Sequence, residues 1–205
     1  MIKVVVVDDH RALRDSFVRL FEKKPNYQLI GQLSSALQAP LFCQRQDVDL
    51  IILDVCTEHG SSGLDAAEKI RRHNSKIKII VMSGFDEITY TARAKQIGAN
   101  AFIYKSKSLD FFNRTIDAVM AGKSYFPKPK NIAFPEGEAP LTAREMEILK
   151  MLCKHKKRRE IALALDISEM TVKRHISNML VKTGFNDSVE LAFYMISKGW
   201  INPLY

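Results

Sequence analysis

Short apolar runs alternate with helix-like segments five times in the first 122 residues. The clearest run, Leu50–Leu53, is continuously apolar and leads directly into Asp54. Such a run is typical of a strand that is buried on both faces of a sheet. Similar runs occupy residues 2–7, 28–33, 77–82 and 101–104, and each is followed by a segment with apolar residues at helical spacing. Among the connections, residues 35–45 predict a weaker helix that Pro40 interrupts, residues 57–63 a Gly/Ser-rich loop and residues 87–97 a helix. Strict alternation of this kind predicts an α/β domain with a parallel sheet between layers of helices.

The pattern changes in the last third of the chain. Residues 123–140 contain four prolines (127, 129, 135 and 140) and little periodicity, which is typical of a linker. From residue 141 onward the apolar spacing is helical only, and it predicts helices near 142–154, 158–165, 169–182 and 187–199. We therefore predict an α/β domain at 1–122, a linker at 123–140 and an all-α domain at 141–205.

Composition bounds the environment and the partners. The chain has a net charge of +8, and residues 141–205 carry 11 basic against 7 acidic residues. A small basic domain favours a polyanionic partner, although a merely soluble surface is an alternative on charge alone. The three cysteines lack CxxC spacing and are typical of reduced thiols. The apolar runs are too short for a bilayer span, and an immediate first strand leaves no room for a signal peptide, so we expect a cytoplasmic protein without a membrane partner.

Polar residues stand at the ends of four predicted strands. They are Asp8 with Asp9, Asp54, Ser83 and Lys105. Because the carboxyl ends of parallel strands meet at one edge of a sheet, we expect these side chains to converge there. Clustered carboxylates repel one another unless a cation neutralises them, and oxygen ligands of this kind suit Mg²⁺. A carboxylate beside a metal ion and an ammonium is suited to attack a phosphoryl group, so Asp54 is the candidate phosphoacceptor, with Lys105 and Ser83 holding the phosphoryl oxygens.

The first domain resembles the receiver domain of two-component response regulators, which has a flavodoxin-like fold with a five-stranded parallel sheet. The resemblance is carried by residues 4–10 (VVVVDDH), 53–54 (LD), 81–84 (VMSG) and 98–105 (GANAFIYK). It implies that a sensor histidine kinase phosphorylates Asp54 and that Ser83 and Lys105 contact the phosphoryl group. The Mg²⁺ ligands that it implies are Asp8, Asp9, Asp54 and the backbone carbonyl of Cys56. Phe102 matches the aromatic residue that reports phosphorylation in this family, and an ordinary strand residue is the alternative.

The loop after Asp54 departs from the family pattern. Thr57 and Glu58 replace the usual Met-Pro, and Gly63 comes one residue later than expected. Since this loop would form one wall of the metal site, we expect Glu58 to bring a further negative charge to it. The alternative hypothesis is an atypical receiver that regulates transcription without phosphorylation.

Residues 158–182 predict a helix-turn-helix. A short helix ends near Leu165, and Ser168 then provides a good N-cap for a second helix. On that second helix a core stripe formed by Val172, Ile176, Met179 and Leu180 lies opposite a basic and polar stripe. The stripe predicted to face outward consists of Lys173, Arg174, Ser177, Asn178 and Val181. Two helices joined by a short turn in this way are typical of DNA-binding domains.

Residues 141–200 resemble the LuxR-type DNA-binding domain, and the order of the domains is similar to that of the NarL/FixJ type of response regulator. The motifs are residues 141–149 (LTAREMEIL), 160–162 (EIA), 167–168 (IS), 171–175 (TVKRH) and 177–178 (SN). The residues that the resemblance assigns to base edges are Lys173, Arg174 and Ser177, and those that it assigns to phosphates are Thr171, Asn178 and Lys182. It also implies double-stranded DNA, the transcription machinery and a second copy of the chain, paired through the last helix, as partners.

The run at residues 154–159 replaces the glycine-containing turn that is usual in this family. Its basic residues, Lys156, Lys157, Arg158 and Arg159, would add phosphate contacts or form a solvated basic turn. An enzyme such as an aspartate-nucleophile phosphatase is disfavoured, because the second acid that it needs would stand at the position of Cys56.

Overall fold

The computed structural model describes residues 1–85, 88–128, 134 and 140–203, without the side chains of His59 and Ile88. The described residues form two compact units. One is the α/β part of the chain up to residue 128, and the other contains Phe134 and the helices after residue 140. Within the described residues, no helix is both long and apolar enough to cross a bilayer.

The first unit is built on a parallel five-stranded sheet. Its strands are β1 (Ile2–Val7), β2 (Tyr27–Leu33), β3 (Leu50–Asp54), β6 (Lys78–Ser83) and β7 (Ala101–Tyr104), in the order β2-β1-β3-β6-β7. All residues of the central strand β3 are buried, as expected for an apolar strand with helices over both faces. A separate two-stranded hairpin is formed by β4 (Cys56–Thr57) and β5 (Ser61–Ser62).

Five helices cover the two faces of the sheet. They are α1 (Arg11–Glu22), α2 (Ala39–Arg45), α3 (Gly63–His73), α4 (Ile88–Ile97) and α5 (Leu109–Met120). Phe17 of α1 and Phe112 of α5 pack in one apolar core with Leu50 and Ile52 of β3, and the centroids of the two phenylalanine rings are 5.4 Å apart. Helices α2, α3 and α4 supply the core on the opposite face. The predicted parallel α/β architecture is confirmed.

Two local predictions in this unit need correction. The helix predicted over 35–45 begins with a separate 3₁₀ turn at Ala36–Gln38, and α2 starts at Ala39. Pro40 therefore lies in the first helical turn, where its missing N–H breaks no hydrogen bond, and it does not interrupt a helix. The loop predicted over 57–63 contains the β4–β5 hairpin, and the predicted helix start at Glu87 lies outside the described residues.

The second unit contains α6 (Ala143–Cys153), α7 (Arg158–Ala164), α8 (Glu169–Thr183) and α9 (Ser188–Ser197). Helix α6 begins with a capping box between Thr142 and Glu145. The hydroxyl of Ser168 caps α8, and Gly184 ends this helix in the left-handed conformation that glycine adopts without strain. A single apolar core joins the four helices.

Two described residues of the segment predicted as a linker, Tyr125 and Phe134, make defined contacts. Tyr125 forms a parallel bridge with Ala101, and its carbonyl accepts a hydrogen bond of 2.9 Å from the Phe102 N–H. Phe134 is buried in the core of the second unit, next to Phe185 and Tyr194. Residues 129–133 and 135–139 of the predicted linker lie outside the described part of the chain.

Candidate functional site

The strand order brings the predicted site residues of the first unit to one edge of the sheet. Asp8 directly follows β1, Asp54 ends β3, Ser83 ends β6 and Lys105 directly follows β7. Because β1, β3, β6 and β7 are consecutive neighbours in the sheet, these four positions are adjacent. The register supports this arrangement, since Asp54 lies opposite Met82 and Ser83 lies opposite Tyr104.

Lys105 bridges two of the carboxylates. Its ammonium lies 2.7 Å from Asp54 Oδ2 and 2.8 Å from Asp8 Oδ2. Burial alone would lower the pKa of Lys105, but the two carboxylates outweigh it and raise that pKa above its ordinary value. The lysine is therefore charged at neutral pH and fixed between the ends of β1 and β3.

Asp54 is the most perturbed acid of this site. Its side chain is almost fully buried, and burial raises its pKa to about 7 even though Lys105 acts in the opposite direction. The nearby Asp8 raises this pKa further, and a hydrogen bond from the Cys56 backbone lowers it. Burial therefore makes Asp54 easier to protonate than an ordinary aspartate.

The acidic cluster contains a residue that the sequence did not single out. Within the described residues, Asp8, Asp9, His10 and Asp54 each place one ligand atom within 4.8 Å of the others. The Nδ1 atom of His10 lies 2.8 Å from Asp9 Oδ1 and 3.2 Å from Asp8 Oδ1. Its position directly after the Asp-Asp pair was the available signal.

The cluster fits a divalent cation. Asp8, Asp9 and Asp54 converge here, and the ammonium of Lys105 is shared between Asp8 Oδ2 and Asp54 Oδ2. Converging carboxylates repel one another, and a hard cation would neutralise the charge that one ammonium leaves. The three carboxylates therefore form a donor set that suits Mg²⁺.

The acidic residue of the 55–63 loop, Glu58, has a partner inside the protein. Its carboxylate accepts a 2.9 Å hydrogen bond from the Ser34 hydroxyl, and Glu58 is absent from the metal-ligating group found among the described residues. Glu58 is therefore not placed as a ligand, and its contribution of negative charge to the site stays a prediction. The sequence position of Glu58 could not reveal this hydrogen bond, because Ser34 is 24 residues away.

Hydroxyl groups hold the hairpin against the 3₁₀ turn that precedes α2. Thr57 Oγ1 accepts a 2.9 Å hydrogen bond from the Ala36 N–H and lies 2.6 Å from the Ser61 hydroxyl. Ser61 is also 3.1 Å from the Ser35 hydroxyl. Thr57, Ser61 and Ser35 are all buried, so a polar network helps to fix the unusual loop.

Gly63 places the end of this loop directly against Asp54. A Cβ atom on Gly63 would lie 1.9 Å from the Asp54 carbonyl oxygen, a distance that no side chain can adopt. The Gly63 N–H donates a 2.8 Å hydrogen bond to the Val55 carbonyl. Only glycine allows this approach, and the backbone of the candidate phosphoacceptor depends on it.

Ser83 and Phe102 occupy buried positions near the cluster. The Ser83 side chain is buried, and its carbonyl accepts a 2.7 Å hydrogen bond from the Lys105 N–H. Phe102 is fully buried and packs edge-to-face on Tyr104, with ring centroids 5.4 Å apart. Phe102 therefore belongs to the core in this conformation, which is compatible with either of its two sequence interpretations.

The second unit presents the predicted polar stripe of α8 to solvent. Val172, Ile176 and Met179 are buried in the core, and Leu180 is partly buried beside them. The residues of this stripe that are exposed are Lys173, Arg174, Ser177, Asn178 and Val181. Helices α7 and α8 are separated by the short turn at 165–168, so the geometry is that of a helix-turn-helix.

Lys182 has a partner inside the protein. Its ammonium lies 2.9 and 2.8 Å from the two carboxylate oxygens of Glu145, which is itself buried. Hydrogen bonds from Lys182 and Thr142 outweigh burial and hold the pKa of Glu145 below its ordinary value. A phosphate contact by Lys182 would have to compete with this ion pair.

The basic turn before α7 has a histidine in the left-handed backbone conformation that glycine usually adopts. His155 has a φ of 57°, in the left-handed region. The side chains of Lys156, Lys157, Arg158 and Arg159 are exposed, and Lys156 lies 3.4 Å from Glu160. These exposed cations lie at and just before the start of α7.

Comparison with known proteins agrees with this architecture. The family model described as the response regulator receiver domain matches residues 4–116, and the model described as bacterial regulatory proteins of the luxR family matches residues 139–195. The chain therefore belongs to the response regulators that join these two domains. It is a DNA-binding two-component response regulator of the LuxR family, which is a family of regulators and not of enzymes.

Individual relatives cover nearly the whole chain. The Fimbriae Z protein of Salmonella typhimurium is 30% identical over 199 residues, covering 93% of this chain and 94% of that protein. The response regulator UvrY of Escherichia coli is 29% identical over 212 residues, covering 98% and 97%. A solved structure of the RcsB response regulator of Salmonella typhimurium has a TM-score of 0.60 and 18% identity, covering 96% and 98%, and it shows the same fold. A structure described as an RcsB–DNA complex has a TM-score of 0.65 at 18% identity, with the same coverage.

Proposed function

We propose that Asp54 accepts a phosphoryl group from a sensor histidine kinase and that this modification controls dimerisation, DNA binding and transcription. The observation that carries the proposal is the position of Asp54, which is buried and lies 2.7 Å from Lys105 at the acidic edge of the sheet. The carboxylate is the nucleophile, Lys105 stays beside the oxygens on which negative charge develops, and Ser83 borders the same edge.

Mg²⁺ would be held by Asp8, Asp9 and Asp54, with the backbone carbonyl of Cys56 as a further ligand. When bound, it supplies positive charge that neutralises the carboxylates and the incoming phosphoryl group. Two observations support this assignment: three carboxylates converge on the single ammonium of Lys105, and Glu58 is not among the potential metal ligands of the described residues.

Phosphorylation is tested by treating the full-length protein with acetyl phosphate and Mg²⁺ and measuring its intact mass. We expect a gain of one phosphoryl group that disappears in Asp54→Asn and when EDTA replaces Mg²⁺. Asp47→Asn is the matched control, because Asp47 is an exposed carboxylate paired only with Lys3 among the described residues. Equal labelling of the Asp54 variant and the wild type would refute the proposal.

DNA binding is assigned to the exposed stripe of α8. Lys173, Arg174 and Ser177 would contact base edges in the major groove, and Thr171 and Asn178 would contact phosphates. We propose that Lys182 contributes less than these residues, because its ammonium is bound to Glu145. Titrations of duplexes selected from a random pool should show weaker binding for Lys173→Ala and Arg174→Ala, and unchanged binding for Lys198→Ala, an exposed lysine after α9.

Dimerisation is assigned to the exposed apolar side of α9. Leu191, Ala192 and Met195 are buried in the core, whereas Val189 and Phe193 are 78% and 72% exposed one helical turn apart. Structures of RcsB are described as dimers bound to DNA, which supports a two-fold arrangement here. With acetyl phosphate and Mg²⁺, light scattering should detect a dimer that Phe193→Asp abolishes and Leu163→Asp, at a similarly exposed residue of α7, retains. A dimer that persists in Phe193→Asp would exclude this surface.

A further inference from the structure

The exposed face of α8 carries an apolar residue in its first turn. Met170 is 72% exposed and does not belong to the apolar core of the second unit. Because an α-helix turns by about 100° per residue, Met170 projects within about 40° of Arg174 and about 20° of Ser177. It therefore stands in the centre of the polar stripe and nearly opposite the buried Val172.

Met170 and the polar residues of the stripe border the same surface depression. The residues that line this depression are Met170, Thr171, Lys173, Arg174 and Ser177. It combines two cations and two hydroxyls, which suit the polar edges of bases, with one long apolar side chain. The N-terminal residues of a recognition helix are the ones that reach base edges, and Met170 is the second residue of α8.

The major groove offers one apolar group to such a side chain, the 5-methyl group of thymine. A methionine is long, unbranched and flexible, so it can follow the position of a methyl group in the groove. We infer that Met170 is a specificity-determining residue that packs on a thymine methyl group beside the bases contacted by Lys173 and Arg174. This inference rests on the proposed role of α8 in DNA binding and adds to it a preference for thymine.

The test uses duplexes that the full-length protein selects from a random pool with acetyl phosphate and Mg²⁺ present. Each thymine of the selected sequence is replaced in turn by deoxyuridine, which removes only the methyl group. We expect the wild type to lose about fourfold in affinity at one or two positions, the factor that corresponds to one buried methyl-sized group. Met170→Ala should bind the thymine and deoxyuridine duplexes equally at those positions.

Two further variants separate a methyl contact from a general effect on the helix. Met170→Leu keeps an apolar side chain and should retain sensitivity to the methyl group, whereas Met170→Gln should lose it. Leu163→Ala alters a similarly exposed apolar residue that lies on α7, outside the stripe, and should leave the wild-type sensitivity unchanged. Fluorescence of Trp200, which packs on Tyr194 in the same unit, confirms that each variant is folded.

The possible failures are distinguishable. If the wild type is insensitive at every thymine, or if Met170→Ala keeps the full sensitivity, the role of Met170 is refuted. In either case a loss of affinity in Lys173→Ala and Arg174→Ala would still support α8 as the recognition helix. If the selection yields no preferred sequence at all, both the role of Met170 and sequence-specific binding by α8 are overturned.

Discussion

Replacement of Gly63 by alanine tests the contact that holds the backbone of Asp54. The added Cβ would lie 1.9 Å from the Asp54 carbonyl oxygen, 2.8 Å from its carbonyl carbon and 3.3 Å from Val55 Cα. All three atoms are backbone, so no side-chain rotation can relieve the overlap. The chain must move by about 1 Å or more to reach an ordinary van der Waals separation.

The expected cost follows from two contributions. Overpacking of a well-packed region typically costs about 1–3 kcal/mol. Displacement would also weaken the 2.8 Å hydrogen bond from the Gly63 N–H to the Val55 carbonyl, a contribution of about 0.5–1.5 kcal/mol. We therefore expect Gly63→Ala to lower the free energy of unfolding of the first unit by roughly 2–4 kcal/mol.

Gly60→Ala is the matched control in the same loop. Gly60 has a φ of 67°, and a Cβ at this position would have no atom within 4 Å. Its replacement therefore introduces only the left-handed backbone penalty, about 1 kcal/mol. The difference between the two variants isolates the overlap with Asp54.

Urea unfolding can assign the loss to one unit. The single tryptophan of the chain, Trp200, lies in the second unit, whereas circular dichroism follows both units. Gly63→Ala should lower the urea midpoint of the first unit, which is seen by circular dichroism and not by Trp200. The urea midpoint of the second unit, which Trp200 fluorescence follows, should be unchanged. A shift no larger than that of Gly60→Ala would refute the close approach of Gly63 to Asp54.

Three other predictions follow from buried polar groups. Burial raises the pKa of Asp54 from the ordinary value of 3.8 to about 7. The contribution of protonated Asp54 to the free energy of unfolding is therefore present below pH 3.8 and is lost as the pH rises through 7. Asp54→Asn in EDTA should therefore stabilise the first unit at pH 8 by on the order of 3–4 kcal/mol and have little effect at pH 4, as measured by urea unfolding; a gain that is independent of pH would contradict this. Thr57→Val leaves the buried Ala36 N–H without its 2.9 Å acceptor and should cost roughly 1–3 kcal/mol, whereas Thr57→Ser should cost far less, and equal melting temperatures would exclude the contact. Glu145→Gln should destabilise the second unit at neutral pH, because Lys182 and Thr142 lower the pKa of Glu145 and so stabilise its charged form. The loss of unfolding free energy should shrink as the pH falls below 4.5, the ordinary pKa of glutamate. Trp200 fluorescence follows the unfolding, and a difference between variant and wild type that does not change with pH would show that the ion pair has no role.

The sequence predicted the features that depend on local periodicity and on strand order. Asp54 follows a run that is typical of a buried strand, and this predicted its position at the ligand-binding edge of the sheet. The outward stripe of α8 followed from helical spacing in the same way. In both cases a single repeating geometry determines which side chains share an edge or a face.

Features that depend on distant partners were not predictable. Glu58 turns to Ser34 and Lys182 turns to Glu145, and each of these pairs is separated by more than 20 residues along the chain. The close approach of Gly63 to Asp54 depends on how the hairpin docks, through Thr57, on the 3₁₀ turn before α2, and no periodic pattern encodes that docking. Hydrogen bonds of this kind are specified by three-dimensional placement and not by spacing.

The charges at the acidic edge explain why a cation is integral to the proposed switch. Three carboxylates converge there, and Lys105 contacts only two of them, Asp54 and Asp8. Burial raises the pKa of Asp54 even with Lys105 beside it, so one ammonium does not offset the burial of the unmodified carboxylate. Phosphorylation replaces the single charge of that carboxylate by the roughly two charges of an acyl phosphate, and so adds about one further negative charge at the same place. A single divalent cation beside Lys105 brings the phosphorylated edge close to balance, which favours a receiver whose phosphorylated state depends on Mg²⁺.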